Sequence, residues 1–288
     1  MIKLANYYCS LNDEEPKRIK EPQINVYVRL QNVCNANCDF CEFCGQAKKF
    51  NEEKFKALLN KLHTIIKINK LSFTGGEPTL DFPLFKRMLN FVNDLDKDIF
   101  TVVNTNGLHL KELAELDINS VALSRHHYKD EVNQSIFKTN VPTSEDIRLY
   151  NKKNTNLHLS CNLVKDCVDS QEEVIKYLDW CDSVNARDIG FVGLMKTNDF
   201  CKEHYIDYSV VTKNHKRIWN SKTYSRHDGN KLACRCGNYV FMGENGLVNF
   251  YCRHYICNNN SESTLVYDIN EFKNGFAGEN VDDWIASR

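Results

Sequence analysis

The 288-residue sequence predicts an α/β fold, with six strand–helix units on a parallel sheet and a small C-terminal unit built on a β-hairpin. Three observations carry this. Short β-branched and aromatic runs alternate with amphipathic helical stretches from residue 24 to residue 193. Beyond residue 195 the alternation weakens, and two apolar runs flank Asn245-Gly246, a strong hairpin signal. Composition is 42% hydrophobic and 26% charged, ordinary for a globular chain with one large domain and a smaller one. The expected division is an N-terminal extension (1–22), a parallel unit (23–195) and a C-terminal unit (196–288).

The first strand is expected over 24–30 and a helix over 51–66. A short apolar strand over 70–74 ends in Gly75-Gly76-Glu77-Pro78, and the second helix follows over 82–93. The third strand, 99–104, closes in Thr105-Asn106-Gly107 and leads to a short helix over 110–116. The fourth strand is 120–124, followed by a helix over 144–151. The fifth strand is 157–162, and Ser170 caps a helix over 170–181 with Glu172 and Glu173 in its first turn. The sixth strand is 188–193. In parallel barrels, chemistry gathers at the C-terminal strand ends. Here those ends carry Glu77, Asn104, Asn106, Ser124, Arg125, His126, Ser160 and Asn162.

Between the first strand and the first helix lie Cys34, Cys38 and Cys41 at C-x-x-x-C-x-x-C spacing, with Phe40 before the third thiol. Three thiolates can hold a four-iron cluster and leave one iron open. A zinc knuckle is the alternative. One strand–helix unit later comes Gly75-Gly76-Glu77, where two glycines allow a close backbone approach and a carboxylate can accept from an ammonium.

Together the cysteine triplet and this turn resemble the radical S-adenosylmethionine (SAM) superfamily. The resemblance implies a partial (β/α)6 TIM-type barrel. It implies a 4Fe-4S cluster on Cys34, Cys38 and Cys41 whose open iron binds SAM, with Gly75, Gly76 and Glu77 at the SAM amino group. It places Phe40, Asn104, Ser124, Ser160 and Asn162 around the cofactor, and the Phe191-Val192 segment beside the adenine. The implied chemistry is reductive cleavage of SAM to a 5′-deoxyadenosyl radical that abstracts hydrogen from a substrate. The run Ser124-Arg125-His126-His127-Tyr128-Lys129-Asp130 opens from strand four toward such a site. Arg125 is expected to bind a carboxylate or phosphate as a planar fork, and His126 or His127 to move a proton. A solvated loop is the plainer reading.

A second cysteine set frames the hairpin: Cys234 and Cys236 before it, Cys252 and Cys257 after it. It resembles the twitch extension of the superfamily, a short relative of the SPASM domain, which implies a second iron–sulfur cluster of the 4Fe-4S kind. Four-thiolate zinc is the alternative. The layout is similar to the molybdenum-cofactor GTP cyclases, but the first pair is C-x-C, not C-x-x-C, and the chain ends without their Gly-Gly. Cys201 is an outside candidate for this second cluster, Cys44 is spare, and Cys161 and Cys181 are expected in the core.

Thirteen cysteines in a chain without a signal-peptide pattern point to metal clusters rather than disulfides, and to a cytoplasmic protein. A net charge of −1 gives no electrostatic case for nucleic acid or an anionic membrane. No apolar run is long enough to span a bilayer. The expected partners are SAM, a reductase such as flavodoxin or ferredoxin, and a polar small-molecule substrate: a nucleotide, sugar or amino-acid derivative. One alternative is a maturase acting on a ribosomal precursor peptide, although 22 residues are few for a leader-recognition domain. The other is an iron–sulfur electron carrier or redox sensor, which would have no need of the Gly-Gly-Glu turn.

Overall fold

The computed structural model describes residues 7–8, 17–18, 23–42, 47–207, 209–212, 225–228, 239–243, 246–251, 263–275 and 278–288. Six strands alternate with helices: β1 (Gln23–Gln31), β2 (Lys67–Gly75), β3 (Phe100–Thr105), β4 (Ser120–Ser124), β5 (Leu157–Leu163) and β6 (Asp188–Gly193). All six are parallel and adjacent in chain order, forming the partial barrel. Helices pack outside it with their apolar stripes inward. In α1 (Glu52–Ile65) the buried residues are Phe55, Leu58, Leu59 and Leu62, three and four apart. In α2 (Phe82–Leu95) Asp81 caps the first turn, and Leu84, Phe85, Met88, Leu89 and Val92 are buried. A short α3 (Leu110–Leu113) follows β3.

After β4 the chain forms α4 (Asp130–Phe137), which the sequence pattern leaves unassigned. It is eight residues long, has no side-chain cap, and buries only Asn133 and Phe137, so its apolar periodicity is weak. A capping box between Thr143 and Asp146 starts α5 (Ser144–Lys153). The expected Ser170 cap is present on α6 (Gln171–Ser183), accepting from the Glu173 N–H. A short α7 (Asp199–Glu203) and a single turn, α8 (Ser209–Thr212), follow β6.

The sheet continues on both sides. β7 (Ser225–Asp228), β8 (Tyr239–Gly243), β9 (Gly246–Tyr251), β10 (Ser263–Asp268) and β11 (Phe272–Asn274) bring it to eleven strands. The order is β11-β10-β1-β2-β3-β4-β5-β6-β9-β8-β7. β8 and β9 form the expected hairpin, with Gly243 opposite Gly246. β9 runs parallel to β6, and β10 parallel to β1. The C-terminal segment thus covers both edges of the barrel, and the sheet runs across residue 195. Tyr267 and Phe272 pack on Phe55, with centroids 5.0 and 6.4 Å away. The last helix, α9 (Asp282–Ala286), lies beside α1. No helix among the described residues is long and apolar enough to cross a membrane.

Candidate functional site

The two glycines after β2 are required by the chain's own backbone. The Gly76 N–H donates to the Gln31 carbonyl at 2.8 Å, and the Glu77 N–H to the Val33 carbonyl at 3.0 Å. A Cβ on Gly75 would lie 2.1 Å from Gln31 O, and one on Gly76 2.0 Å from Val33 O. Gly75 also has φ +128°, a conformation that favours glycine. The side of each glycine where a Cβ would stand is filled by the segment that leads into Cys34.

Glu77 turns inward. Its side chain is buried, with residue exposure of 1%. Oε1 accepts from Thr79 N at 3.0 Å, Thr79 Oγ1 at 2.5 Å and Thr105 Oγ1 at 2.8 Å, and Oε2 accepts from Asn106 N at 2.8 Å. Burial pushes its carboxyl above the usual range, and the hydrogen bonds pull it back only in part. Glu77 thereby fastens the end of β2 to the turn after β3. In that turn Asn106 Oδ1 accepts from Leu108 N at 3.1 Å, while Nδ2 donates to Asn35 Oδ1 at 2.8 Å and to Cys34 Sγ at 3.6 Å. Asn104, the residue expected at the cofactor, donates instead to Phe73 O at 3.3 Å. Asn106, two positions on, reaches the cysteine loop. Both fall in the strand-end polar set, and spacing alone does not separate them.

Cys34, Cys38 and Cys41 are all partly exposed on one loop. The Cys41 N–H donates to Cys38 O at 3.0 Å, and the Asn37 N–H to Phe137 O at 3.0 Å at the end of α4. Lys138, in left-handed backbone just after α4, pairs with Asp39. From the other side Asn198 Nδ2 donates to Asp39 O at 3.0 Å. Burial raises the Cys34 thiol; Cys38 is pushed up to about 12 by burial first, then by the charges of Cys41 and Cys34. Ionising one thiol of the loop therefore opposes ionising the next. A cluster of irons, each taking one thiolate, relieves that opposition. Among the described residues no three His, Cys, Asp or Glu side chains are gathered for a single metal ion.

Cys201 lies against the first cysteine loop. It is buried on α7, and its thiol donates to Phe40 O at 3.5 Å, behind the first cysteine loop. Cys161 and Cys181 are core residues, as expected. Cys234, Cys236, Cys252, Cys257 and Cys44 lie outside the described residues. The strand before Cys252 ends at Tyr251, opposite Val192 near the end of β6.

The Arg125 expectation is corrected. Its side chain is 1% exposed. Nε donates to His127 O at 2.7 Å, Nη1 to Pro142 O at 2.9 Å, and Nη2 to Tyr128 O at 3.1 Å and Asp130 Oδ1 at 2.6 Å. Its guanidinium lies 4.8 Å from the centre of the Trp180 ring. The fork folds the loop around itself and does not reach for a ligand. Asn133 Oδ1 accepts from the N–H groups of His126 and His127 at 2.8 and 3.3 Å, tying α4 to the same loop. His126 is buried; its Nδ1 accepts from Asn162 N at 3.1 Å, and its ring stacks on Phe137 and meets Phe40 edge-on, each at 4.9 Å. His126 is the member of the trio that touches the cysteine loop. His127 is also buried; its Nδ1 accepts from Lys129 N at 3.0 Å, and burial lowers its pKa. Ser124, at the end of β4, sits beside Ser160 in the middle of β5, both half-buried. Phe191 is fully buried against Tyr177 of α6, so its ring faces the helix layer and only its backbone borders the strand end.

A probable GTP 3′,8-cyclase of Thermococcus kodakarensis is 32% identical over 130 residues, 41% of this chain and 40% of that protein. The chain thus spans about two-fifths of that cyclase's length. YydG of Bacillus subtilis, a putative peptide biosynthesis protein, is 27% identical over 230 residues, 75% of this chain and 70% of that one. Streptococcus suis SuiB bound to S-adenosylmethionine shares the fold with a TM-score of 0.64 at 13% identity, over 91% of this chain and 64% of SuiB. The Radical SAM superfamily model matches residues 28–181, just over half of the chain, and spans the cysteine loop, the glycine turn and the Arg125 loop. This chain belongs to the radical SAM superfamily.

Proposed function

We propose that this radical SAM enzyme modifies a peptide. When bound, the cluster and SAM supply reductive cleavage to a 5′-deoxyadenosyl radical, which takes a hydrogen atom from the substrate. In this reading Cys34, Cys38 and Cys41 hold the cluster. The Gly75-Gly76-Glu77 turn fixes the entry of their loop. His126 and Phe137 brace Phe40 from the β4 side. Ser124, Ser160 and the strand end at Asn162 are the polar groups left to orient the cofactor. A one-electron donor such as flavodoxin or ferredoxin completes the cycle, and the C-terminal cysteines hold a second cluster.

The observation that carries the peptide reading is the relation to YydG, named for peptide biosynthesis, which runs along most of both chains. The Arg125 guanidinium, expected to hold a small anionic substrate, donates to the protein. SuiB has been seen with its precursor peptide SuiA, and anSMEcpe with a peptide, on this fold. The similarity to GTP 3′,8-cyclases makes a nucleotide the competing substrate.

The test is anaerobic. The reconstituted protein is reduced with dithionite and given SAM with either GTP or synthetic peptides encoded beside its gene. Peptide-dependent 5′-deoxyadenosine, with a mass change in the peptide, is the expected result. Conversion of GTP with the peptides untouched would overturn the peptide reading and leave the superfamily chemistry in place.

A further inference from the structure

Asn106 is buried in the turn after β3, and its backbone N–H and both ends of its carboxamide are committed. Its backbone N–H is held by Glu77 Oε2 at 2.8 Å, and its Oδ1 by the Leu108 N–H at 3.1 Å. The Leu108 bond decides which way the carboxamide faces, because an N–H donor requires the oxygen there. Nδ2 is therefore presented to the cysteine loop, 2.8 Å from Asn35 Oδ1 and 3.6 Å from Cys34 Sγ. The turn keeps this geometry through Gly107, whose φ of +88° and contact with Pro142 and Leu123 leave no room for a Cβ.

We propose that Asn106 is a positioning residue that raises the reduction potential of the SAM-cleaving cluster through an N–H···S bond to Cys34. The inference rests on the reading that Cys34, Cys38 and Cys41 hold that cluster. A cluster that takes up one electron from an external reductant gathers negative charge on its sulfurs. A donor aimed at a ligand sulfur stabilises the reduced state more than the oxidised one. The donor is pre-oriented by Glu77 and Leu108, so reduction requires no rearrangement to use it. Cys34 Sγ also accepts from the Ala36 N–H at 3.4 Å, a loop contact that an Asn106 variant leaves in place.

The experiment is an EPR-monitored redox titration of the reconstituted full-length holoenzyme, with iron counted per chain. Asn106→Asp keeps the acceptor for Leu108 and removes the donor; Asn106→Ala removes both. A more negative midpoint is expected in both, with the larger shift in Asn106→Asp. Asn35→Ala leaves Asn106 intact and removes the acceptor that competes with Cys34, so its midpoint should move the opposite way. Unchanged midpoints in loaded variants overturn the proposal. Should the Asn106 variants hold no iron, Asn35→Ala decides: a positive shift supports the bond, and no shift overturns it. A wild-type protein that takes up no cluster overturns the underlying ligand reading instead, a failure seen before any titration begins.

Discussion

Glu77 and Arg125 are both buried charges at the mouth of the barrel, and they are held in different ways. Both are about 1% exposed, and each makes four hydrogen bonds with the protein. Glu77 is surrounded by two hydroxyls and two backbone N–H groups, and burial raises its pKa. Arg125 has a carboxylate, Asp130, whose own pKa is held down by Arg125 and Ser144 despite its partial burial. The carboxylate joins two strand ends and, through Asn106, reaches a cysteine. The guanidinium organises the loop after its own strand. A charge at a strand end in sequence therefore does not identify a ligand; its geometry separates a latch that supports the site from one that shapes a loop.

The largest expected effect is at Arg125. Arg125→Ala leaves three carbonyls without their donor, while Asp130 keeps Ser144, and should cost about 3–5 kcal/mol, because each buried acceptor left unsatisfied costs about 1–3 kcal/mol. Chemical denaturation of the cluster-free protein measures it. Arg125→Lys should rescue little, because an ammonium cannot reproduce the planar fork. If Arg125→Ala kept full stability yet lost substrate binding, the guanidinium would be a ligand after all and the contrast with Glu77 would collapse.

Glu77→Ala should cost about 1–3 kcal/mol, from donors left unsatisfied in a buried site. It should also lower iron retention, because Asn106 and the cysteine loop lose their anchor. Full stability and a normal iron count would show that Glu77 faces a ligand rather than the turn. Gly76→Ala tests the same joint from the backbone side. A Cβ there would sit 2.0 Å from Val33 O, so the cysteine loop must shift. About 1–3 kcal/mol and a drop in bound iron are expected, in line with overpacking elsewhere.

The smallest effect is a pH dependence on the Arg125 side. Burial lowers the His127 pKa below its ordinary 6.5, so the unfolded chain binds more protons in that window. The stability this contributes is fully present above pH 6.5 and is lost as pH falls through the lower folded value. The midpoint of thermal unfolding for wild type should fall across that window more steeply than for His127→Gln. Parallel curves would mean that His127 reaches solvent when charged.

The radical SAM resemblance rested on chain-local signals, and those proved sufficient for the fold. The C-x-x-x-C-x-x-C run, the Gly-Gly-Glu string one unit later and the alternating strand and helix patterns are all read within short windows. The roles inside the turn were harder to read. Two glycines suggest a close approach, but the sequence does not say that Gln31 and Val33 are what approaches. α4 is not legible in the sequence, because a short helix with two buried residues and no side-chain cap leaves almost no periodic trace.

By itself, then, the sequence determined the six strand–helix units, the loop that carries Cys34, Cys38 and Cys41, and the hairpin after residue 238. These follow from periodicity, turn chemistry and ligand spacing, which are properties of neighbouring residues. Only the tertiary structure decided where the polar groups of the strand ends point. It turned Glu77 toward Thr105 and Asn106, closed Arg125 inside its own loop, chose Asn106 over Asn104 as the neighbour of Cys34, and laid β9 and β10 along opposite edges of the barrel. The physical reason is that a buried polar group must find its partner among residues brought near by packing, as Asn106 and Cys34 do from 72 positions apart along the chain.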